Sequence, residues 1–411
     1  MPADAKIIDI LSKENKDAAP FVSLEYFPPR TAEGVKNLYA RMERMKTTLE
    51  PSFTDVTWGA GGSTADLSME IALQAHNTGH IANLHMTCTN IANSQDPKKD
   101  IEAALTQAYQ GGIRNIVALR GDPPAGQEEW KAAEGGFTCA LDLVKFIRNE
   151  LTFGKELGVS VAGYPEGHPN AISKVDDVSK LTATEQLRSS EFDGVTYACL
   201  DADYQKELAY LKEKVDAGAD FIITQMFFDA DVYIQFVKDC RAIGIDCPVV
   251  PGIMCINAYA GFVKMTKFCK TRVPPALRQT MEELNALPEG ASDAIKQFGI
   301  EFGVEMCQKL MDGGAPVLHF YTLNLEKVVY GVMDGLGLSA NASAATNEAD
   351  AALQAAKGSA WARVGDIVTS NAFSGEGVVL EIDQATGNAK IEVKETKTVV
   401  DLEKGKFAKK F

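Results

Sequence analysis

The sequence predicts a (β/α)8 barrel followed by a small, SH3-like all-β module. Three observations predict the barrel. Eight short strand-like apolar runs alternate with amphipathic helical stretches, the pattern of repeated βα units that build a parallel sheet through right-handed crossovers. These units span roughly 310 residues, the size of one such barrel. The first run is followed by FPPRTAEG, which lacks the G-x-G-x-x-G fingerprint of a doubly wound dinucleotide fold.

Residues 1–19 read as an N-terminal extension. They carry no apolar stretch of signal-peptide type, and their early acids are unlike a transit peptide, so a cytoplasmic protein is expected. The first strand, 21–27, is rich in strand formers and is ended by Pro28 and Pro29. Glu25 sits in its middle, where an unpaired buried charge would be costly. Strand periodicity accounts for it: Ser23 and Glu25 share the lumenal face, while Val22, Leu24 and Tyr26 face the outer helices. In the second strand, 53–59, Asp55 and Thr57 share a face; in the third, 82–88, Asn83, His85 and Thr87 do. In the fourth, 115–121, Ile116, Ala118, Arg120 and Asp122 do. Polar residues thus collect at the strand ends, where barrel active sites lie. The remaining strands are expected at 158–164, 221–227, 248–254 and 315–323, with helices at 97–111, 137–150, 203–217 and 229–244.

Residues 170–202 are a long polar connection, read as a lid or partly helical insertion within a catalytic barrel spanning 20–337. Residues 338–358, rich in Ala, Asn and Ser, read as a linker. From 359 to 411, alternation broken by Ser-Gly-Glu-Gly and Thr-Gly-Asn turns predicts the small antiparallel module.

The net charge of -15 argues against a general nucleic-acid or anionic-membrane binder. No run of apolar residues is long enough for a membrane span. Eight scattered cysteines include no C-x-x-C pair and no zinc spacing, so reduced thiols are expected and no metal is assigned. His76 and His80, four apart in HNTGH, lack a third ligand and are read as surface histidines.

The segments VSLEYFPPR, VTWGAGGS, HMTC, NIVALRGDPP, VAGYPEGHP, VDAGADFIITQMFFD, PGIM and LHFYTLN occur in this order. Each is weak alone; as an ordered set, covering about 20 to 336, they closely resemble the methylenetetrahydrofolate reductase family. The resemblance implies an oxidoreductase holding FAD in a (β/α)8 barrel. Such an enzyme reduces 5,10-methylenetetrahydrofolate to 5-methyltetrahydrofolate, a step of one-carbon metabolism and methionine biosynthesis. Electrons come from NADH or NADPH by a ping-pong route.

The resemblance also implies roles. Glu25 falls on the family's catalytic acid, the proton donor for opening the folate's five-membered ring; burial is expected to raise its pKa and keep it protonated near neutral pH. Asp122 falls between flavin and folate, where its charge would tune hydride donation. Gln225, Leu323 and Thr57 fall on substrate positions. Thr57, Trp58, His85, Leu119, Arg120, Gly121, Asp122, Ala140, Tyr164, His168 and Lys214 fall on flavin positions. Five of these residues have a plainer reading. Glu25 is satisfied by Arg120 or backbone donors, Asp122 starts an Asp-Pro turn, and Gln225 bonds neighbouring backbone. His85 is a satisfied core histidine, and Lys214 is a solvated helix lysine.

Three positions depart from the family pattern. Cys139 stands where a Tyr is common, Leu325 where an Arg is, and Glu213 where some relatives have a basic residue. Flavin and folate contacts are put in doubt there. Another flavin barrel enzyme, of proline-dehydrogenase type, would not need the acid of SLEYFPPR, and a non-catalytic folate or flavin sensor would be expected to lose it. Relatives form dimers or tetramers, so a homo-oligomer is expected. The residues after the barrel are too few for the S-adenosylmethionine-binding regulatory domain that eukaryotic relatives often append, so feedback inhibition through such a domain is not expected.

Overall fold

The computed structural model describes residues 3–12, 21–58, 64–88, 96–121, 132, 134–339, 367–370, 373–382, 389–393, 396–402 and 408–409. Contacts divide the chain into two units, Met1–Ser339 and Ala340–Phe411.

The first unit is a (β/α)8 barrel. Its strands are β1 (Phe21–Tyr26), β2 (Phe53–Val56), β3 (Ala82–Thr87), β4 (Asn115–Leu119), β5 (Gly158–Gly163), β6 (Phe221–Thr224), a two-part β7 (Val249–Val250 and Gly252–Met254) and β8 (Val317–Tyr321). All pairings are parallel, and β1 pairs both β2 and β8. The ends of the pairing order are the two halves of β7: the first pairs β6 and the second pairs β8, so the sheet closes on itself. Pro251 separates them, and with no N–H it cannot continue the ladder. The next residue must be glycine. A Cβ on Gly252 would lie 2.3 Å from the Thr224 carbonyl oxygen and 2.4 Å from the Tyr321 hydroxyl. That hydroxyl crosses the seam to donate to Thr224 O at 2.6 Å.

Local chemistry sets the helices. Thr31 caps Ala32–Leu49 by accepting from Gly34 N, and Asp96 caps Pro97–Gln110, where proline occupies the first turn. The helices Ala140–Asn149, Asp201–Asp216 and Ala230–Ala242 lie within a few residues of the expected ranges. Their apolar faces pack on the outward residues of the strands, such as Leu24, Leu84, Ile116, Ile222 and Phe320, in the main core.

A second core fills the lower lumen: Phe53, Ile81, Val117, Phe221, Ile223, Val250 and Val317 meet Ile7 and Ile10. The N-terminal extension therefore supplies a plug, the helix Ile7–Leu11. Asn115 holds it, accepting from Ile7 N at 2.8 Å and donating to Ala5 O at 2.9 Å. The expected face of β4 is corrected here. Ile116 and Ala118 pack outward, and Val117 and Leu119 point into the lumen. Ile116 to Leu119 are apolar on both faces, so Arg120 and Asp122 beyond the strand set the expected parity, whereas the lumenal polar residue of the strand is Asn115.

Residues 170–202 fold into a small antiparallel sheet of Ser173–Lys174, Val195–Ala198 and Ser189–Phe192, with the helix Ala183–Leu187 closed by a Thr182–Glu185 capping box. The segment is fastened to the helices after β7. Lys267 pairs with Asp193 at 2.6 Å and Arg278 with Glu191 at 3.3 Å; Lys270 donates to Pro169 O and Ile172 O.

The second unit is an antiparallel sheet in the order Val399–Leu402, Ala389–Val393, Phe373–Ile382, Ile367–Ser370, Ala408–Lys409. The last strand returns to pair the first, the connectivity of an SH3-like barrel. The expected linker lies, beyond Ser339, outside the described residues.

Candidate active site

Four adjacent strands of the closed barrel, β8, β1, β2 and β3, send polar side chains into the lumen above the apolar plug layer. Glu25 is at the centre, and its carboxylate is only slightly exposed. Thr57 Oγ1 donates to its Oε1 at 2.9 Å. Its Oε2 lies 3.5 Å from His319 Nε2 and 3.7 Å from His85 Nε2. His319 Nδ1 is 2.9 Å from Ser23 Oγ. His85 Nε2 is also 3.0 Å from Asp55 Oδ2, and Asn83 donates to Asp55 Oδ1 at 3.0 Å. Asp55, Asn83, Ser23 and His319 are fully enclosed.

This network corrects the expected protonation of Glu25. Burial does push its carboxyl up, but the charge of His85, the His319 contact and the Thr57 hydroxyl outweigh burial and hold it below the usual carboxylate range. His85 moves the opposite way: burial lowers it, but Glu25 and Asp55 raise it overall. The plainer reading of Glu25 is half right. It is satisfied, though by two histidines and a threonine rather than by Arg120. His319 was missed, and its signal was alternation: Val317, His319 and Tyr321 share the lumenal face of β8, with Val317 in the plug core.

Thr57 and His85 belong to the network. Leu119 borders the lumen core, and Gly121 after it has φ +97°, a left-handed conformation that suits glycine. Arg120, between them, is half-buried. Trp58 packs in the outer core, so its side chain does not enter the lumen. Asp122 lies outside the described residues. Gln225 follows the lumenal pair Phe221 and Ile223 on β6, and its Oε1 accepts from Met226 N at 2.8 Å, the neighbouring-backbone bond of the plainer reading. Leu323, at φ +52°, lies two residues past β8 and packs with Tyr321 against a satellite core.

Tyr164, His168 and Lys214 line one cavity on the β5–β6 side. The Tyr164 and His168 rings meet edge to face at 4.7 Å. His168 is pushed down to about 4 by burial and by Arg120, Lys214 and Lys270. Lys214 is not a solvated lysine. It is 5% exposed, donates to Ala162 O at 2.9 Å, and burial lowers its ammonium to about 8. Ala140 opens the helix Ala140–Asn149, whose preceding residue, Cys139, makes no side-chain cap. Leu325 is exposed. His80 is not a surface residue: it is 4% exposed, with Nδ1 2.9 Å from Thr54 Oγ1.

Two buried lumenal atoms on β3 have no partner, Thr87 Oγ1 and Asn83 Oδ1. Glu25, Asp55 and His319 bring ligand-type atoms within 4.8 Å of one another, but the hydrogen bonds above already account for them. No helix among the described residues is long and apolar enough to cross a membrane.

A family model described as methylenetetrahydrofolate reductase matches residues 10–337. A rice protein named probable methylenetetrahydrofolate reductase (NADH) is 46% identical over 334 residues, covering 81% of this chain and 51% of that one. A Caenorhabditis elegans protein named probable methylenetetrahydrofolate reductase (NADPH) is 36% identical over 77% of this chain and 42% of its own length. A Pectobacterium carotovorum protein named 5,10-methylenetetrahydrofolate reductase is 32% identical over 77% of this chain and 90% of its own length. The chain spans about half the length of the plant relatives it matches.

Proposed function

The chain belongs to the methylenetetrahydrofolate reductase family, and from that premise we propose that it reduces 5,10-methylenetetrahydrofolate to 5-methyltetrahydrofolate with electrons from NADH or NADPH through bound FAD. The observation that carries the reading is Glu25, an acid at the lumenal end of β1 held by two histidines and a threonine on neighbouring strands.

The residues fit a flavin. The unpartnered Thr87 hydroxyl is a buried donor beside His85, matched to a polar ring edge. The left-handed Gly121 lets a planar ring approach the backbone. Lys214 is a cation held out of water next to Tyr164 and His168, where a diphosphate would satisfy it. The uncapped start of Ala140–Asn149 offers backbone N–H groups. Trp58 would contribute through its backbone and His168 as a neutral ring. When bound, the flavin supplies two-electron transfer, accepting hydride from the nicotinamide and later yielding it to the folate.

The chain's own residues do the acid–base work. The methylene bridge of the folate links two nitrogens, and hydride cannot reach that carbon until the ring opens to an iminium. Glu25 delivers the proton that opens it, breaking its O–H bond as the departing nitrogen gains N–H. The imidazoles of His85 and His319 then face the carboxylate left behind. Gln225, Leu323 and Thr57 line the approach of the pterin, and Asp122 would set charge between the two ring systems.

An anaerobic half-reaction series tests this. NADH or NADPH should bleach the bound flavin, and methylenetetrahydrofolate should restore its colour with formation of 5-methyltetrahydrofolate. A chain that binds no flavin, or whose reduced flavin is not reoxidised by the folate, overturns the reading; reduction by proline instead would move the chain to the proline-dehydrogenase type.

A further inference from the structure

We propose that Asp55 is a positioning residue that decides whether the proton between His85 and Glu25 rests on the imidazole or on the carboxyl. The inference deepens the proposed reaction and rests on it for its kinetic arm, though not for its titration arm. His85 Nε2 faces two carboxylates at once, Asp55 Oδ2 at 3.0 Å and Glu25 Oε2 at 3.7 Å. Asp55 is the nearer and the more enclosed, with no exposed surface. It is itself fixed, because the Asn83 amide donates to its other oxygen while that amide's own carbonyl oxygen goes without a partner. The asparagine is therefore spent on holding the aspartate.

The groups facing this proton are few. From β1 comes Glu25, from β2 Asp55, from β3 His85, and from β8 His319 and Tyr321. The Tyr321 phenol is pushed well up, first by burial and then by both carboxylates. Tyr164 acts on Tyr321 from β5; the side chains of Ser23, Thr57, Asn83 and Thr87 are polar but carry no charge, and Val117, Leu119, Ile223 and Val250 are apolar. Two carboxylates and two imidazoles thus meet in one enclosed volume, where Glu25 and His85, each shifted by the other, titrate as a coupled pair.

The consequence follows from the resting charge of Glu25, which its neighbours keep ionised. To act as an acid it must first take a proton. In that step the His85 Nε2–H bond breaks and a Glu25 Oε2–H bond forms, so an imidazolium–carboxylate pair becomes a neutral imidazole and a carboxylic acid. Glu25 then passes the proton to the substrate nitrogen, and solvent reprotonates the cluster. Asp55 opposes the first transfer by holding the N–H, and its charge raises the proton affinity of the whole cluster. Removing that charge lowers the pH at which the cluster loses its last shared proton.

The experiment compares wild type, Asp55→Asn and Asp55→Glu. The first arm follows the imidazole of His85 by NMR of histidine-labelled protein, assigned with His85→Gln. In wild type His85 should titrate above the ordinary 6.5, and in Asp55→Asn it should fall by about one pH unit or more. The second arm follows the folate half-reaction of the flavin-loaded protein against pH. Its alkaline limb should move to lower pH in Asp55→Asn and return toward wild type in Asp55→Glu. A merely structural role would lower the rate at every pH and leave the limb in place. An unmoved limb with an unmoved His85 titration overturns the inference. If Asp55→Asn does not fold, a wild-type His85 titrating at or below the ordinary value overturns it. A wild type that fails the folate half-reaction but shows the shifted His85 sinks the proposed function and leaves the Asp55–His85 coupling standing.

Discussion

Lys214→Met should make the ligand-free protein more stable and its flavin binding weaker. In the folded chain, burial lowers the ammonium from the ordinary 10.5 to about 8. At about 1.4 kcal/mol for each tenfold change in proton affinity, holding the charge there costs about 3 kcal/mol at neutral pH. The hydrogen bond to Ala162 O offsets about 1 kcal/mol of this, and methionine loses that bond while keeping most of the stem's packing. The expected net gain is about 2 kcal/mol. Because the folded value is the lower one, the unfolded chain holds the extra proton between about 8 and 10.5, so the penalty is full below 8 and disappears as pH rises through that window. Urea unfolding of the flavin-free protein at pH 7 and at pH 10 measures both effects. The variant should exceed wild type at pH 7, and the gap should narrow at pH 10. Flavin titration should show weaker binding by the variant. A less stable variant at pH 7 would refute the reasoning, since it would mean the ammonium is not strained in its site.

Glu25→Gln should still allow the flavin to be reduced by nicotinamide but slow its reoxidation by methylenetetrahydrofolate by about 10²–10⁴-fold, the usual worth of a general acid; rapid-mixing absorbance reads both steps. Ile7→Ala should destabilise the barrel by about 2–4 kcal/mol because the side chain is fully buried in the lumen, whereas half-buried Ile8 should cost less; equal losses in urea unfolding would remove the plug. His80 is held down to about 4, mainly by burial and then by Lys46, so it is neutral when folded. Its contribution is complete above 6.5 and is lost as pH falls toward 4, which makes wild type lose about 2–3 kcal/mol more than His80→Gln between pH 7 and pH 4.5.

The sequence made the barrel legible because its period-two and period-3.6 patterns are dense and its strands are ended by clear breakers. Pro28 and Pro29 close β1, and the eight expected runs became the eight strands. Glu25 could be aimed into the lumen because its strand alternates sharply. Where alternation was weak, parity failed: Ile116 to Leu119 are apolar on both faces, and Val117 in the plug core together with Asn115 bonding the plug helix sets it. The protonation of Glu25 could not be read from burial alone. It depends on His85 and His319, which lie 60 and 294 residues away and meet it only when the barrel closes. His80 was misread for a similar reason. Its polarity pointed outward, but Thr54 on the neighbouring strand gives it a partner inside.

The plug has a consequence for how the chain comes to be folded. Residues 7–11 leave the ribosome before any of their lumenal partners, the last of which, Val317, is 310 residues behind Ile7. β1 likewise waits for β8, since Phe21 pairs Val317. An unpacked apolar segment and an unpaired strand edge must therefore persist through most of synthesis, the condition in which long-range topologies fold slowly and aggregate readily. The acids and lysines around Ile7 and Ile8, in DAKIIDILSKENKD, keep that early segment soluble while it waits.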